Sequence, residues 1–390
     1  MTRAPPHHGS TSKREAPEQG LKSPKRKRHR HKPRRTDDSN STAAAPASTA
    51  SPRAKHPPGA RRPPRRGPEQ LQPSSLYSYA SATSTWTAHV ALEPKSLPTS
   101  LRLLTYNTWS SSPSHTRSQT RALLDLLRDS RADIVALQEV SESFETTLRS
   151  EGWFRGEWSM SSLEAFWSVA GKDGNGKGKK EGQKEGNVVL VRTALVGKGT
   201  SVGIVRFKRA NNERAKAAIQ LSIMDPDGTE KLRVLTSHYS SLPQNAVLRR
   251  SQYNASLAHL CARPRAAHSV LLADFNASST HEFGPFAASF LDACPPLSPH
   301  ELKDLSPSDK ADAMFRKRPT FGALYPLVTP TSKPRKPRRI DRIYVSRGTK
   351  VDRYREVGDE AIEGETDPLG KRGQKWPSDH VGVGARITLG

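Results

Sequence analysis

Short apolar runs, most of them followed by polar residues, recur along the chain from about residue 100 and predict strands. The runs Leu101–Tyr106 and Asp133–Leu137 are typical of buried strands. Apolar residues at helical spacing predict helices over residues 116–129 and 245–261. Further strands are predicted at 187–192, 202–207, 215–224, 232–237, 269–273, 339–345 and 381–387. Many strands in succession with few helices favour a mixed α/β sandwich over a doubly wound parallel sheet.

The N-terminal part of the chain lacks this pattern. Residues 1–76 carry 18 of the 63 Lys and Arg residues but only 5 of the 38 acidic ones, and they contain no Phe, Trp, Tyr, Val or Ile. Such a composition cannot bury enough apolar surface to offset the entropy of ordering. We therefore expect residues 1–96 to be a disordered basic tail rich in Pro and Ser, and residues 97–390 to form the folded domain. The Gly/Lys-rich residues 171–186 predict a flexible insertion within that domain.

Charge suggests the partners of the chain. A dense basic cluster at Lys22–Arg35 is typical of a nuclear-import signal or a nucleic-acid contact. We expect it to bind the import machinery and to place the protein in the nucleus. The formal net charge of +25 favours a polyanionic partner without choosing among nucleic acids and phosphoinositides.

Two classes of protein are excluded by composition. No apolar run approaches the roughly 20 residues that cross a bilayer, so no membrane span is predicted. Two cysteines are too few for a disulfide framework, which excludes a secreted disulfide scaffold and favours a reducing compartment.

Polar residues accompany six of the predicted strands, most of them at or just beyond the strand end. Taken singly, each has an ordinary explanation, such as a turn residue or a satisfied core histidine. Six together favour one site, since buried charges must be paired or bind a metal. The six segments are Thr105-Tyr106-Asn107, Leu137-Gln138-Glu139, Thr236-Ser237-His238, Ala273-Asp274-Phe275-Asn276, Arg339-Ile340-Asp341-Arg342-Ile343-Tyr344 and Ser378-Asp379-His380.

The residue types in these segments fit one kind of chemistry. A carboxylate such as Asp341 can orient the imidazole of His380 through its second nitrogen. Asn side chains offer neutral donors to phosphate oxygens, and a single Glu with waters and substrate oxygens is a common way to hold Mg²⁺. Together these groups predict metal-assisted hydrolysis of a phosphate ester.

The order of these motifs resembles the endonuclease/exonuclease/phosphatase superfamily over about residues 100–390. This resemblance implies a four-layer α/β/β/α sandwich that hydrolyses phosphoesters with Mg²⁺ or Mn²⁺. The segments 105–107, 339–343 and 378–380 look most like the tyrosyl-DNA phosphodiesterase 2 branch. Thr320-Phe321-Gly322, followed by the strand that carries Asp341, is similar to fungal-type members of that branch.

The same resemblance implies how the metal and the attacking water are handled. Glu139 would be the main metal ligand, and Asp379 would support the outer coordination sphere. Asp274 would position and deprotonate the water, held in place by Asn276. Many relatives carry an additional Asp where this chain has Trp109, which leaves one carboxylate fewer for the metal.

The remaining roles implied by the resemblance concern the phosphate. Asn107 would lie beside the metal on the scissile phosphate, and His238 and His380 would donate to its oxygens as charge builds. Asp341 would hold His380 in its productive orientation. A phenolate leaving group (pKa about 10) needs less proton assistance than an alkoxide, so such a site suits a tyrosyl ester.

Cations and aromatics near these motifs are candidate contacts to single-stranded nucleic acid. A basic stretch at 331–339 directly precedes the Asp341 strand, and relatives carry an arginine after the first catalytic histidine that Arg249 could replace. For Arg249 the alternative is a solvated helix face, and for Trp376 it is packing of a turn. The candidate contacts are Arg249, Phe321, Arg338, Arg339 and Trp376.

The sequence thus predicts a monomeric, nuclear, Mg²⁺- or Mn²⁺-dependent phosphodiesterase that acts on DNA ends, with 5′-tyrosyl adducts as the substrate. Abasic DNA, RNA and a phosphoinositide are alternative substrates of the same fold. A nucleic-acid-binding protein with a decayed site is the alternative of a different class, which the retention of Glu139, Asp274, Asn276 and His380 disfavours.

Overall fold

The computed structural model describes residues 70–89, 93, 95–161, 185–207, 216–277, 279–303, 306, 313, 318–326 and 333–390. Within these residues the chain forms two mixed β-sheets packed face to face, with helices against both outer faces. The predicted α/β/β/α sandwich is therefore confirmed. Residues 1–69 of the predicted tail and residues 171–184 of the predicted insertion lie outside the described part.

Sheet I contains, in spatial order, β1, β8, β9, β10, β11, β13 and β12 as its described strands. Its bounds are β1 Leu71–Ser74, β8 Ser201–Arg206, β9 Ala217–Met224, β10 Glu230–His238, β11 His268–Asp274, β13 Asp341–Ser346 and β12 Phe290–Asp292. Strands β10 and β11 are parallel, and β13 is antiparallel to β11.

Sheet II contains, in the same part of the chain, β14, β15, β4, β5, β7, β6, β2 and β3. Its bounds are β14 Lys350–Val357, β15 Gly382–Thr388, β4 Ser100–Asn107, β5 Ile134–Ser141, β7 Glu185–Arg192, β6 Trp158–Ser161, β2 Leu76–Ala80 and β3 Thr85–Ala88. Strands β4 and β5 are parallel, and β15 is antiparallel to β4.

Six α-helices accompany the sheets in the described residues. The first, α1, begins after a capping box in which the Thr116 hydroxyl accepts from the Gln119 N–H and the Gln119 side chain accepts from the Thr116 N–H. None of these helices is long and apolar enough to cross a membrane. They are α1 Arg117–Asp129, α2 Glu142–Ser150, α3 Gly152–Glu157, α4 Ala246–Leu260, α5 Gly284–Ala287 and α6 Pro299–Leu302.

Alternating strand residues divide the interior into layers. Leu101 and Leu103 of β4 face the core between the sheets, where they belong to one cluster with Val234 of β10. Leu104 and Tyr106 face the other way and pack beneath α1. A third cluster lies between α4 and the outer face of sheet I. The core between the sheets thus fixes their relative position at the edge where β4, β5, β10 and β11 end.

The predicted start of the folded domain at residue 97 is corrected by the structure. Strand β1 pairs with β8, and β2 pairs with β3 and β6, so both sheets recruit residues before 97. These strands are short and rich in Ser, Thr and Gln, and β1 is mostly exposed. Leu76 of β2 nevertheless joins the core between the sheets, and Tyr77 and Trp86 pack against the cluster beneath α1. The strands were missed because each has only four or five residues, too few for a hydrophobic period to stand out.

Candidate active site

Three acidic or imidazole side chains lie in a row across sheet I. His238 ends β10, Asp274 ends β11, and Asp341 begins the antiparallel β13. The register pairs His238 with Asp274 and Asp274 with Asp341, so they occupy adjacent positions on three neighbouring strands. All three are buried.

Sheet II contributes Asn107 and Glu139 to the same edge. Asn107 ends β4, while Glu139 lies in β5 at a bulge between Leu137 and Val140, with a φ of +53°. A bulge turns a strand residue out of its usual alternation and costs backbone strain in a non-glycine residue. The hydroxyl of Ser110 donates to the Glu139 carbonyl at 2.9 Å and supports this conformation.

The Asn107 amide joins the two sheets. Its Nδ2 donates to Glu139 Oε1 at 3.0 Å and to Asp274 Oδ2 at 2.9 Å. Its Oδ1 accepts from the Trp109 N–H at 3.0 Å, which fixes the amide orientation. Trp109, which stands where many relatives carry an additional Asp, therefore orients Asn107 through its backbone N–H.

Asp274 is held at the centre of the site. Its Oδ1 accepts from the Asn276 backbone N–H at 2.9 Å, and the Asn276 side chain donates to the Tyr239 carbonyl at 3.1 Å. Burial and the neighbouring Asp341 raise the pKa of Asp274 to about 7 despite the hydrogen bond from Asn107. A carboxylate in this state can exchange a proton near neutral pH.

His380 precedes β15 and faces Asp274 from the other side. Its Nδ1 lies 2.8 Å from Asp341 Oδ2, and its Nε2 lies 4.0 Å from Asp274 Oδ2. Burial alone would lower the pKa of His380, but the charges of Asp341 and Asp379 outweigh it and raise the pKa to about 10. The ring is therefore a cation with one nitrogen directed at the site. The predicted pairing of Asp341 with His380 is present.

His238 lies on the opposite side of Asp274. Its Nε2 is 3.6 Å from both Glu139 Oε1 and Asp274 Oδ2. Its Nδ1 is 3.1 Å from Lys216 Nζ. An ammonium can only donate, so Nδ1 accepts, and Nε2 carries the proton that faces the carboxylates. Sequence reasoning missed Lys216, which stands in a stretch of basic residues without any motif.

Two groups of side chains in the described residues have oxygen and nitrogen atoms close enough to share a metal ion. One comprises Glu139, His238 and Asp274, and the other Asp274, Asp341 and His380. Burial, followed by the charges of Glu185 and Asp379, raises the pKa of Glu139. Glu139 and Asp274 are thus two buried carboxylates of the type that a hard divalent cation prefers, whereas His238, with its proton on Nε2, has no lone pair to offer.

Asp379, which was predicted to support the metal, has other partners in the structure. Asp379 is a member of neither group, and its Oδ2 forms an ion pair with Arg335 Nη1 at 2.6 Å. Its Oδ1 lies 3.7 Å from His380 Nε2. Asp379 therefore lies between His380 and the basic stretch that precedes β13, and its charge is felt by both His380 and Glu139.

An aromatic and cationic flank lies beside His380. The Phe321 ring is half-buried, and its centroid is 5.0 Å from that of His380. The guanidinium carbons of Arg335 and Arg338 lie 4.9 and 5.6 Å from the Phe321 centroid. Aromatic rings combined with positive charge are the side chains that proteins use to contact single-stranded nucleic acid. Phe321 and Arg338 therefore lie beside His380, and their role as nucleic-acid contacts stays a prediction.

Three of the predicted nucleic-acid contacts are corrected. Arg249 is fully buried and forms an ion pair with Glu282, with Nε–Oε2 at 2.7 Å. Arg339 is buried against Asp292 at 2.8 Å, and Trp376 is buried in a cluster with Leu324, Tyr325 and Val381. Arg249 is therefore neither available to contact nucleic acid nor on a solvated helix face, and both predictions for it are wrong. Arginines and aromatics are ambiguous in sequence because they serve buried pairs and packing as readily as ligands.

Comparisons with known proteins agree with this geometry. A model of the Endonuclease/Exonuclease/phosphatase family matches residues 104–380. No curated protein sequence matches the chain significantly. A family protein from Bacteroides thetaiotaomicron has a similar structure, with a TM-score of 0.50, 17% identity, and coverage of 75% of this chain and 99% of that one. This likeness shows the fold.

Two further solved structures are similar at lower scores. D. rerio TDP2 complexed with a single-strand DNA product has a TM-score of 0.49 and 16% identity, covering 75% of this chain and 100% of that one. A mannosyl-6-phosphatase of Bacteroides thetaiotaomicron has a TM-score of 0.47 and 16% identity, covering 74% and 99%.

Proposed function

The chain belongs to the endonuclease/exonuclease/phosphatase family, whose members are hydrolases of phosphoesters, and we propose that it is a divalent-metal-dependent phosphodiesterase that acts on DNA ends. We propose 5′-tyrosyl adducts as its substrate and Mg²⁺ as its metal. The observation that carries the proposal is the position of Asp274 between Asn107, His238 and His380.

Asp274 is suited to take the proton of the attacking water. It is buried, its pKa of about 7 matches neutral conditions, and its Oδ1 is fixed by the Asn276 N–H. The other oxygen receives the Asn107 amide, which also contacts Glu139. The base is thus held in one orientation before substrate arrives, as efficient proton transfer requires.

His380 and His238 are suited to bind the phosphate oxygens from two sides. The raised pKa of His380 keeps it cationic, and Asp341 prevents rotation of the ring. His238 presents its protonated Nε2, because Lys216 occupies the other nitrogen. Donors fixed in this way stabilise the negative charge that grows on the phosphate during hydrolysis.

Glu139 would hold the cation, with the Asp274 carboxylate beside it, whereas His238 directs a proton rather than a lone pair at this position. A bound divalent cation would supply charge neutralisation and Lewis-acid polarisation of a phosphate oxygen. The strained backbone of Glu139 supports this role, since strain of that kind is retained at functional positions.

Support for DNA comes from charge and from the flank of the site. The net charge is +25, and Arg335, Arg338 and Phe321 lie beside His380. Support for a tyrosyl ester comes from the likeness of segments 105–107, 339–343 and 378–380 to the tyrosyl-DNA phosphodiesterase 2 branch. We also propose a nuclear location, because of the basic cluster at Lys22–Arg35.

A substrate panel tests the proposal. Purified protein with Mg²⁺ is given 5′-tyrosyl DNA, abasic duplex, poly(A) RNA and an inositol phosphate, and product formation is measured for each. We expect release of tyrosine from the first substrate at a rate at least tenfold above the others. A preference for any other member of the panel would reject the tyrosyl substrate while retaining the hydrolase.

Matched variants test the site itself. Asp274→Asn and His380→Ala should each lower turnover by at least 10³-fold with an unchanged circular dichroism spectrum. Asp125→Asn, which affects an exposed ion pair with Arg121, is the control and should be fully active. Near-normal turnover in either site variant would reject the assignment.

A truncation tests the location. Removal of residues 1–69 should abolish nuclear accumulation and leave turnover on short oligonucleotides intact. The cut precedes β1 so that the pairing of β1 with β8 is retained. Unchanged nuclear accumulation would contradict the role of the basic cluster.

A further inference from the structure

A cavity of about 480 Å³ opens on the outer face of sheet II, beyond the C-terminal end of α1. Leu104 and Tyr106 of β4 are covered by α1 on this face. Arg102 lies two residues earlier on the same face, and its side chain is half exposed. Five arginines line the cavity, and we call it the arginine cavity: Arg102, Arg131, Arg353, Arg355 and Arg386.

Three of the arginines form a row across neighbouring strands. The register pairs Arg102 of β4 with Arg386 of β15, and Arg386 with Arg353 of β14. Neighbouring strands lie about 5 Å apart, so the row is about 10 Å long. Like charges in directly opposite positions repel each other and destabilise a sheet. The repulsion among these three arginines therefore destabilises the sheet, and a bound anion would remove that repulsion.

The fourth arginine is accommodated by a glycine. Arg355 lies opposite Gly384, where an added Cβ would approach the Arg355 Cγ and Nε to 3.2 Å. Arg355 donates to the Ser130 carbonyl at the end of α1, which fixes its direction. Burial, then the charges of Arg353 and Arg102, lower the pKa of Arg355. The fifth, Arg131, comes from the loop after α1 with a φ of +51°.

Negative charge is scarce around these guanidinium groups. Among the described residues that line the cavity, Asp129 is the only acid, and it is paired with Arg128 at 3.1 Å. Asp133 is 3.6 Å from Arg102 Nε at the rim, and Asp352, which is paired with Lys350, also interacts with the charge of Arg386. The surface therefore carries a local excess of positive charge that converges on one volume.

We propose that the arginine cavity binds a compact anion that carries two or more phosphate groups. Guanidinium groups bind phosphate through paired N–H donors, and a row about 10 Å long can serve two phosphates at once. The volume lies in the range of small-molecule pockets. The charges surround a cavity rather than following a groove, which favours a small ligand over a nucleic-acid strand.

The cavity is separate from the hydrolytic site. Arg102 precedes Asn107 by five residues on β4, or about 16 Å along the strand, and it faces the helical layer instead of the space between the sheets. The two sites can therefore be tested independently, and the proposal does not rest on the proposed hydrolysis.

Titration calorimetry on the full chain tests the proposal. The probes are inositol hexakisphosphate, pyrophosphate and inorganic phosphate at 150 mM salt. We expect the two polyphosphates to bind at least tenfold more tightly than inorganic phosphate. The double variant Arg353→Ala/Arg386→Ala should weaken their binding at least tenfold, whereas Lys350→Ala, which removes an exposed cation of the same strand, should not. His380→Ala should also leave it unchanged.

Thermal unfolding provides a second readout. Inositol hexakisphosphate should raise the melting temperature of the unsubstituted protein but not that of the double variant. Without ligand, the double variant should melt no lower than the unsubstituted protein, because a repulsive pair is removed. Equal affinity in the double variant, loss of binding in His380→Ala, or tighter binding of a ten-nucleotide single strand through these arginines would overturn the proposal.

Discussion

Arg249 offers a direct test of whether a basic residue near the site binds substrate or builds the fold. Its guanidinium is buried in α4 and pairs with Glu282, in the 3₁₀ turn Thr280–Phe283 that follows Asn276. Its Nη1 also donates to the Ser240 carbonyl at 3.0 Å. Arg249 thus ties the loop after His238 to the segment after Asp274, and its substitution by Met keeps the length but removes every one of these bonds.

The expected cost follows from this geometry. Breaking a buried ion pair leaves Glu282 without its charge partner and costs about 3–5 kcal/mol. For a domain of roughly 300 residues, that loss lowers the melting temperature by about 5–8 °C. Substitution of a surface arginine that contacts nucleic acid would instead change the free energy of unfolding by less than about 0.5 kcal/mol. It would weaken binding of nucleic acid and make that binding less dependent on salt.

Urea denaturation and oligonucleotide binding distinguish the two roles. We expect Arg249→Met to lose stability as stated, and Arg249→Met/Glu282→Leu to lose less than the sum of the two single variants. Arg250→Met, on the exposed face of α4, is the matched control and should be unaffected. A stable Arg249→Met variant with weakened, less salt-dependent DNA binding would refute the structural role.

Three further outcomes test the site and its support. Glu139→Gln should raise the Mg²⁺ concentration for half-maximal turnover at least tenfold, and a titration that overlays the unsubstituted protein would exclude Glu139 as a ligand. Burial raises the pKa of Asp274 from 3.8 to about 7, so its ionisation opposes folding above pH 4. In metal-free buffer Asp274→Asn should gain stability on the order of 4 kcal/mol at pH 8 and none below pH 4, and equal stabilities at pH 8 would contradict the raised pKa. Gly382→Ala would place a Cβ 2.1 Å from the Tyr106 ring and should cost about 1–3 kcal/mol in urea denaturation, while Gly156→Ala, with open space around it, should cost nothing.

The meeting of the strand ends could be predicted from the sequence. Asn107, His238 and Asp274 each end an apolar run, and the parallel pairing of β4 with β5 and of β10 with β11 brings such ends to one edge. Asp341 and His380 stand at the starts of β13 and β15, and antiparallel pairing returns these starts to the same edge.

Other features could not be predicted, for identifiable physical reasons. Glu139 is among the predicted site residues, but the bulge that carries it could not be foreseen, because a bulge interrupts the two-residue period on which strand prediction depends. Lys216 and Arg335 find their partners across large sequence distances, and no local pattern marks a basic residue as paired. The strands before residue 97 are only four or five residues long, too short for a hydrophobic period to mark them as part of the domain.

The division of the active site between the two sheets has a consequence for newly made protein. Asn107 and Glu139 come from sheet II, His238 and Asp274 from sheet I, and His380 enters with β15, the last described strand in chain order. A polypeptide still emerging from the ribosome lacks the strand that sets the second imidazole. Under the proposed function, the complete set of catalytic groups is therefore assembled only after β15 has been synthesised and both sheets have closed.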